Sequence, residues 1–301
     1  PIVGGASEKN KKLRQAISIA VDYEEFISIF LNGSGVAAHG PIPPGIFGNT
    51  DAINNTVYFL EKNVITRRPI SHAKRLLAEA GYPEGRDELT GEPLVIHLDV
   101  PISGPSAKSQ FDWLRKQLKK IDIQLVIRNT DYNRFQDKMR RGHAQLFQWG
   151  WSADYPDPEN FLFLLYGPNS KVKFGGENAA NYENQQFDHL FEQIRVMKDG
   201  EERQRMINEA LELLTNDSPW LWGFHPKLIS LYHNWNYNIK PNVMANNTLK
   251  YRRIDVIERD KLQQSWNKPI LWPLGVILIL ICVMILPAYL MYRRKMNKRI
   301  S

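Results

Sequence analysis

Hydrophobic positions along the chain recur at two spacings, and the switch between them marks its elements. Leu13, Ala16, Ile17, Ala20 and Val21 form one apolar helical stripe over 11–21. Asp22 followed by Glu25 fits an acidic capping box. It opens a second helix that buries Phe26, Ile27, Phe30 and Leu31 and stops at Gly33. From Gly33 to Thr50 the density of Gly and Pro argues against regular structure, with Gly40-Pro41-Ile42-Pro43-Pro44-Gly45 as an ordered loop or a linker. Ser71 is expected to cap a short helix carrying Ala73, Leu76, Leu77 and Ala80 inward, ended by Gly81-Tyr82-Pro83. The period then drops to two over Leu94, Ile96, Leu98 and Val100, a half-buried strand. A helix face (Ala107, Phe111, Leu114, Leu118), a second alternating strand (Ile121 to Ile127) and another helix (Tyr132, Phe135, Met139, ended by Gly142) follow. Ala144 to Trp149 reads as the third strand. Strand-helix-strand-helix-strand predicts a parallel sheet with right-handed crossovers, hence an α/β fold.

Beyond a polar, Gly-rich loop over 167–181, two helices are expected. One carries Phe187, Leu190, Phe191, Ile194 and Met197; the other carries Met206, Ile207, Ala210, Leu213 and Leu214, before Pro219. Trp220 to Tyr232 is aromatic and β-prone, and Leu249 to Ile257 reads as a last strand. The change of texture puts a boundary near Asn216. The piece from there to Gln263, about 45 residues, is too short to hold its own core. Either it packs on the first domain or most of its domain lies upstream of Pro1.

The run Pro269 to Tyr292 has no charged residue. At roughly 1.5 Å per residue it extends about 36 Å, enough for a hydrocarbon core of about 30 Å. Trp266, Trp272, Tyr289 and Tyr292 edge it like interfacial anchors, and Pro273 and Pro287 sit near its ends. Arg293, Arg294, Lys295, Lys298 and Arg299 follow, which places the C-terminus in the cytoplasm and residues 1–268 on the other side.

Composition adds little. The 301 residues are 43% hydrophobic and 24% charged, as in ordinary globular proteins. The net charge of +7 is partly concentrated in the basic tail, and neither zinc-finger spacing nor an RNA-binding signature is present, so nucleic acid is not an expected partner. The single cysteine, Cys282, lies in the apolar run, so neither an internal disulfide nor a Cys-based metal site is expected. His225 and His233 lack zinc-ligand spacing. No cofactor is expected.

Candidate chemistry concentrates in Trp149-Gly150-Trp151-Ser152-Ala153-Asp154-Tyr155-Pro156-Asp157-Pro158. Two indoles and a carboxylate follow a strand end, where α/β sheets place ligands. Such a stretch suits a ligand with apolar parts and a positive amine. The alternative is that the tryptophans are core and Asp154 caps a helix over Glu159 to Tyr166.

Several of these stretches, in this order, resemble one family. Leu13-Arg14-Gln15-Ala16-Ile17-Ser18-Ile19-Ala20-Val21-Asp22, Gly40 to Gly45, Ala73 to Pro83, Trp151 to Leu162, Asn181-Tyr182 and Phe187-Asp188 are similar to the C-terminal half of the family 5 extracytoplasmic solute-binding proteins. These are the oligopeptide- and dipeptide-binding components of ABC importers. The resemblance covers roughly Lys11 to Asp255. It implies a type II periplasmic-binding-protein-like clamshell lobe of the peptide-binding class, incomplete at the N-terminus. Residues 1–215 would be the ligand-binding lobe and 216–263 the returning strands of the other lobe. A juxtamembrane linker (264–268), a transmembrane helix (269–292) and a basic cytoplasmic tail (293–301) complete the layout. The resemblance further implies that Asp154 pairs with a peptide α-ammonium. The backbone of Gly150, Trp151 and Ser152 would pair with the peptide main chain, with Trp149, Ala153 and Tyr155 alongside. Pro156, Asp157 and Pro158 would hold the loop's shape. ABC permease subunits are the implied partners.

The expected function is a membrane-tethered, extracytoplasmic peptide-binding component and not an enzyme. Related binders take nickel complexes, sugars and other solutes. A hydrolase using Asp154 with Asp157 or Glu159 is a weaker alternative, since no nucleophile or metal signature accompanies it. A receptor signalling through the span is a third, although its short tail leaves no room for an output domain.

Overall fold

The computed structural model describes residues 2–50, 53–101, 104–240 and 248–297. The chain divides into two compact units, residues 1–229 and 230–301.

In the first unit, α1 (Glu8–Ala20) buries Leu13, Ala16, Ile17 and Ala20 as the stripe predicts. Asp22 accepts the Glu25 backbone N–H at 3.1 Å and caps α2 (Tyr23–Phe30). The Glu25 carboxylate completes no box; it accepts from Trp113 Nε1 and Gln117 Nε2, both at 3.2 Å. Regular structure does occur within Gly33 to Thr50: β1 (Gly35–Ala37) pairs antiparallel with a strand near residue 225. A hairpin, β2 (Tyr58–Glu61) and β3 (Val64–Arg67), turns at Lys62 and Asn63 with φ of 49° and 64°. Ser71 does not cap α3 (Ile70–Glu79). Pro69 precedes the helix and no side chain caps it, because the proline lacks an oxygen to offer and Ser71 already lies inside the first turn.

The sheet follows the predicted pattern. β4 (Val95–Val100), α4 (Pro105–Lys119), β5 (Gln124–Asn129), α5 (Tyr132–Arg141) and β6 (Leu146–Phe147) build a parallel sheet of order β5-β4-β6. Ile96, Leu98 and Val100 point into one core with Trp113 and Leu118 of α4 and the buried face of α1. Asp99 faces the other way and meets Lys138 of α5. The two crossover helices therefore cover opposite faces.

The third strand is shorter and less buried than the run Ala144 to Trp149 suggests. Gln145 uses its side chain to accept the His97 backbone N–H at 2.8 Å, and only Leu146 and Phe147 join the ladder. From Gln148 the chain leaves the sheet.

A second core gathers α6 (Glu159–Leu162), α8 (Gln185–Ile194) and α9 (Glu201–Asp217); the short α7 (Lys171–Phe174) lies between α6 and α8 in sequence. Phe161, Leu162, Phe187, Phe191, Ile194, Ile207 and Leu214 are buried there. Arg14 ties the ends of the unit together. Its guanidinium donates to the carbonyls of Asp217 and Ser218 at 2.8–3.1 Å, where α9 has run out of intrahelical donors, and to those of Val3 and Gly5. The Leu13 to Asp22 motif is thus read out as packing and capping. β7 (Phe224–Pro226) closes onto β1, which attaches the aromatic stretch after Pro219 to this unit.

In the second unit, β8 (Asn236–Tyr237) pairs with β9 (Arg253–Ile254). The expected strand over Leu249 to Ile257 is not formed. Residues 249–251 make a 3-10 turn, β9 is two residues long, and α10 (Val256–Trp266) begins at once. Asp255 accepts the Glu258 backbone N–H at 3.0 Å, so an N-cap overrides the strand-like pattern. α11 (Trp272–Asn297) is exposed along its length and is the one helix among the described residues long and apolar enough to cross a membrane. It starts three residues after Pro269 and carries Arg293, Arg294 and Lys295 in its last turns; Lys298 and Arg299 lie outside the described residues.

Candidate functional site

Helices on opposite faces of a β5-β4-β6 sheet make the gap between the carboxyl ends of β4 and β6 a topological switch point, the crevice where open α/β sheets hold ligands. The loop Gln148 to Pro156 leaves β6 at that gap. All its residues are exposed, with Trp149 and Trp151 each at 38% and Tyr155 at 39%.

Nothing in the first core claims the two indoles. Trp149 lies edge-on to Phe135 of α5 at 5.5 Å between ring centroids, with the Lys171 ammonium 5.4 Å from its ring. Trp151 meets Phe163 edge-on at 5.4 Å. Both rings are therefore anchored on one side and open on the other. The backbone N–H groups of Gly150, Trp151, Ser152 and Ala153 have no hydrogen-bond partner among the described residues. A Cβ placed on Gly150 would meet nothing within 4 Å.

Asn160 organises the loop. It is 2% exposed, and its Oδ1 accepts from Trp151 Nε1 at 3.1 Å and from the Asp154 backbone N–H at 2.9 Å. Its Nδ2 donates to Asp154 Oδ2 at 3.4 Å, which orients the carboxylate of this exposed residue. Asp154 does not cap the following helix. Pro158 stands at the N-cap without a side-chain bond, and Asp157, one residue before it, accepts the Glu159 backbone N–H at 2.8 Å.

Asp157 also accepts two hydrogen bonds from Arg203 of α9, at 2.8 and 2.9 Å. Arg203 is 3% exposed, donates again to Asp199 at 2.6 Å and to the Ile194 carbonyl at 2.9 Å, and so has its charge fully met. Burial by itself would raise the Asp157 carboxyl; the Arg203 hydrogen bonds and the Glu159 N–H outweigh it and hold it below the usual carboxylate range. Tyr155 donates to Glu159, and burial together with that bond raises the phenol. With Arg195 and Val196 these residues line an open depression of about 500 Å³.

The sequence-predicted residues thus form one continuous exposed loop at the switch point. Asn160, Arg203 and Lys171 hold it and were not singled out from sequence. Beneath it lies a further group the sequence did not flag, Asp99. It is fully buried, pairs with Lys138 through Oδ1, and its Oδ2 has no partner. Among the described residues no group of three or more His, Cys, Asp or Glu could hold a metal ion.

The family model of the bacterial extracellular solute-binding proteins, family 5 (middle region), matches residues 7–173. This chain belongs to that family. Its members are solute-binding proteins, not enzymes. The family 5 chain is 30% identical over 213 residues to heme-binding protein A of Haemophilus influenzae, covering 70% of this chain and 36% of that protein. It is 26% identical to the dipeptide-binding protein of Escherichia coli over 70% of this chain and 36% of the relative. The chain thus spans little more than a third of the length of these relatives. Among solved structures it is similar to the oligopeptide-binding protein AppA of Bacillus subtilis in complex with a nonapeptide (TM-score 0.64, 20% identity, 82% of this chain and 48% of that one). It is also similar to DppA of Helicobacter pylori in complex with the peptide STSA (TM-score 0.59, 23% identity, 74% and 39%). These likenesses establish the type II periplasmic-binding fold for the matched part.

Proposed function

We propose that this family 5 chain is the membrane-anchored, extracytoplasmic binding component of an ABC importer and that its solute is a peptide. Residues 1–215 supply most of one lobe of a clamshell, and residues 216–263 return toward the other. The observation that carries the reading is the exposed backbone of residues 150–153, whose N–H groups have no partner among the described residues, beside the Asp154 carboxylate at the switch point. Unpaired N–H groups in an extended loop accept a peptide main chain as an added strand, which gives affinity without reading side chains. Asp154, oriented by Asn160, then fixes register by pairing with the free α-ammonium. Trp149, Trp151 and Tyr155 offer apolar faces to peptide side chains, with Ser152 and Ala153 small enough to let the backbones approach. α11 tethers the protein, with its basic end in the cytoplasm, beside the permease subunits that receive the solute.

Calorimetry on the full-length protein with matched free and N-acetylated peptides tests this. Truncating one partner of a desolvated charge pair costs about 2–5 kcal/mol, so acetylation and Asp154→Asn should each weaken binding at least tenfold and not add. Equal affinity for free and acetylated peptides removes the ammonium role.

The two open indoles favour a second solute class, a flat apolar one, and a relative at 30% identity is named for heme binding. A heme titration read in the Soret band separates the two. Saturable binding that persists in Asp154→Asn and is lost in Trp149→Ala supports the second class.

A further inference from the structure

We propose that Asp99 and Lys138 are positioning residues of the solute site: paired beneath the loop, they set where the Trp149 ring stands and touch no solute themselves. The inference rests on the reading of residues 149–155 as the place where solute binds.

Three observations carry it. The first is how α5 is held. This ten-residue helix buries only Phe135 and Met139. Apolar contact is non-directional, so two such side chains keep the helix on the sheet without fixing its exact seat. An ion pair ties one atom to another. Lys138 supplies that tie to Asp99 of β4.

The second is where the tie lies. Asp99 stands opposite Phe147 in the β4–β6 register, at the last residue of β6 and two residues before Trp149. Lys138 follows Phe135 by three positions, on the same side of α5. Phe135 is fully buried, and its ring meets Trp149 edge-on at 5.5 Å. The pair therefore locks the helix that carries Trp149's neighbour to the strand beside the one that delivers Trp149.

The third is that the pair is poorly suited to any other task. Asp99 is 0% exposed, and its Oδ2 has no partner. The other buried positions of β4, Ile96, Leu98 and Val100, are apolar. A half-satisfied carboxylate in that strand adds little stability, because its unmet oxygen has lost water and gained nothing. What it adds is a single arrangement of α5 on the sheet. The burial comes from elements of the first unit alone, so it holds whatever else lies against the loop.

The test uses the full chain in detergent, labelled with 5-fluorotryptophan and read by fluorine NMR. Trp→Phe variants assign Trp149 and, as a control on the opposite face of the sheet, Trp113. Without any solute, Asp99→Asn and Lys138→Met should each shift or broaden the Trp149 resonance and leave that of Trp113 in place. Lys138→Arg keeps the charge and should restore most of the wild-type signal. The double variant Asp99→Asn/Lys138→Met removes both charges together, so the tie can be absent without a lone buried acid. Calorimetry with alanine peptides of two to five residues, and with hemin, supplies the second reading. The variants that move the ring should bind about tenfold more weakly, within the range for residues that touch no ligand. Arg14→Met, which loosens the same unit elsewhere, should change neither reading. A folded double variant with an unmoved Trp149 resonance overturns the proposal, and so does a moved ring with unchanged affinity. A wild type that binds neither probe sinks the reading of the loop and the solute half of the proposal with it, whereas an unmoved ring in a chain that does bind sinks the role of the pair alone.

Discussion

Arg203 shows how a single buried charge can set the form of an exposed loop. It reaches Asp157 across 46 residues, and the bidentate pair pins the two prolines that turn the chain after Asp154. Replacing Asp157 by Asn leaves a guanidinium at 3% exposure with Asp199 as its remaining ionic partner. The expected loss is about 2 kcal/mol in urea denaturation, less than the ~3–5 kcal/mol of a fully buried pair because Asp199 remains. The pH dependence has a definite sign. The folded Asp157 carboxyl lies below its unfolded value, so its contribution is present above about pH 4 and is lost as pH falls through the lowered folded value. The Tm of the wild type should therefore drop more steeply than that of Asp157→Asn below pH 4. Locally the sequence showed the loop well, since indoles, a carboxylate and prolines in ten positions stand out. It could not show Asn160 as the organiser or Arg203 as the clamp. An Asn inside a helix and an Arg on a helix face look alike whether buried or not, and their partners are set by tertiary contact.

Among elements, α1 and α9 are joined by one side chain. Arg14 covers the carbonyls that end α9, and Gln15 adds a bond to the Asn216 carbonyl at 2.7 Å. Arg14→Met keeps the stem and removes the donors, leaving part-buried carbonyls unmet. It should cost about 2–3 kcal/mol, measured as a lower urea midpoint with unchanged m. Helices with a clear apolar stripe, and strands with strict alternation, were legible because a local period fixed both type and face. What escaped was set by other forces. The β2–β3 hairpin announces itself only by Asn63, which tolerates a positive φ that most residues resist. β6 was overestimated because Gln145 satisfies the neighbouring strand with its side chain. α10 was hidden under a run of β-prone residues until Asp255, with Glu258 three positions on, started it as a helix.

Across the whole molecule, the exposed length of α11 is the feature that most affects handling. On the proposed reading of α11 as a membrane anchor, its exposed aliphatic side chains lie against lipid and not water. Truncation after Lys268 should release the protein from the membrane fraction while leaving solute affinity unchanged within twofold. The full chain should resist alkaline carbonate and partition with detergent. Loss of solute binding on truncation would mean that the helix belongs to the binding fold.

Arg14 finds its main acceptor 203 residues further along the chain, and β1 waits for β7. At about 5–20 residues per second, a ribosome needs roughly 10–40 s to deliver that acceptor after α1 has emerged. Leu13, Ile17 and Ile19 gain their cover sooner, from α3, β4 and α4, so the apolar face of α1 is hidden while the nascent polypeptide still lacks the polar tie that closes the unit.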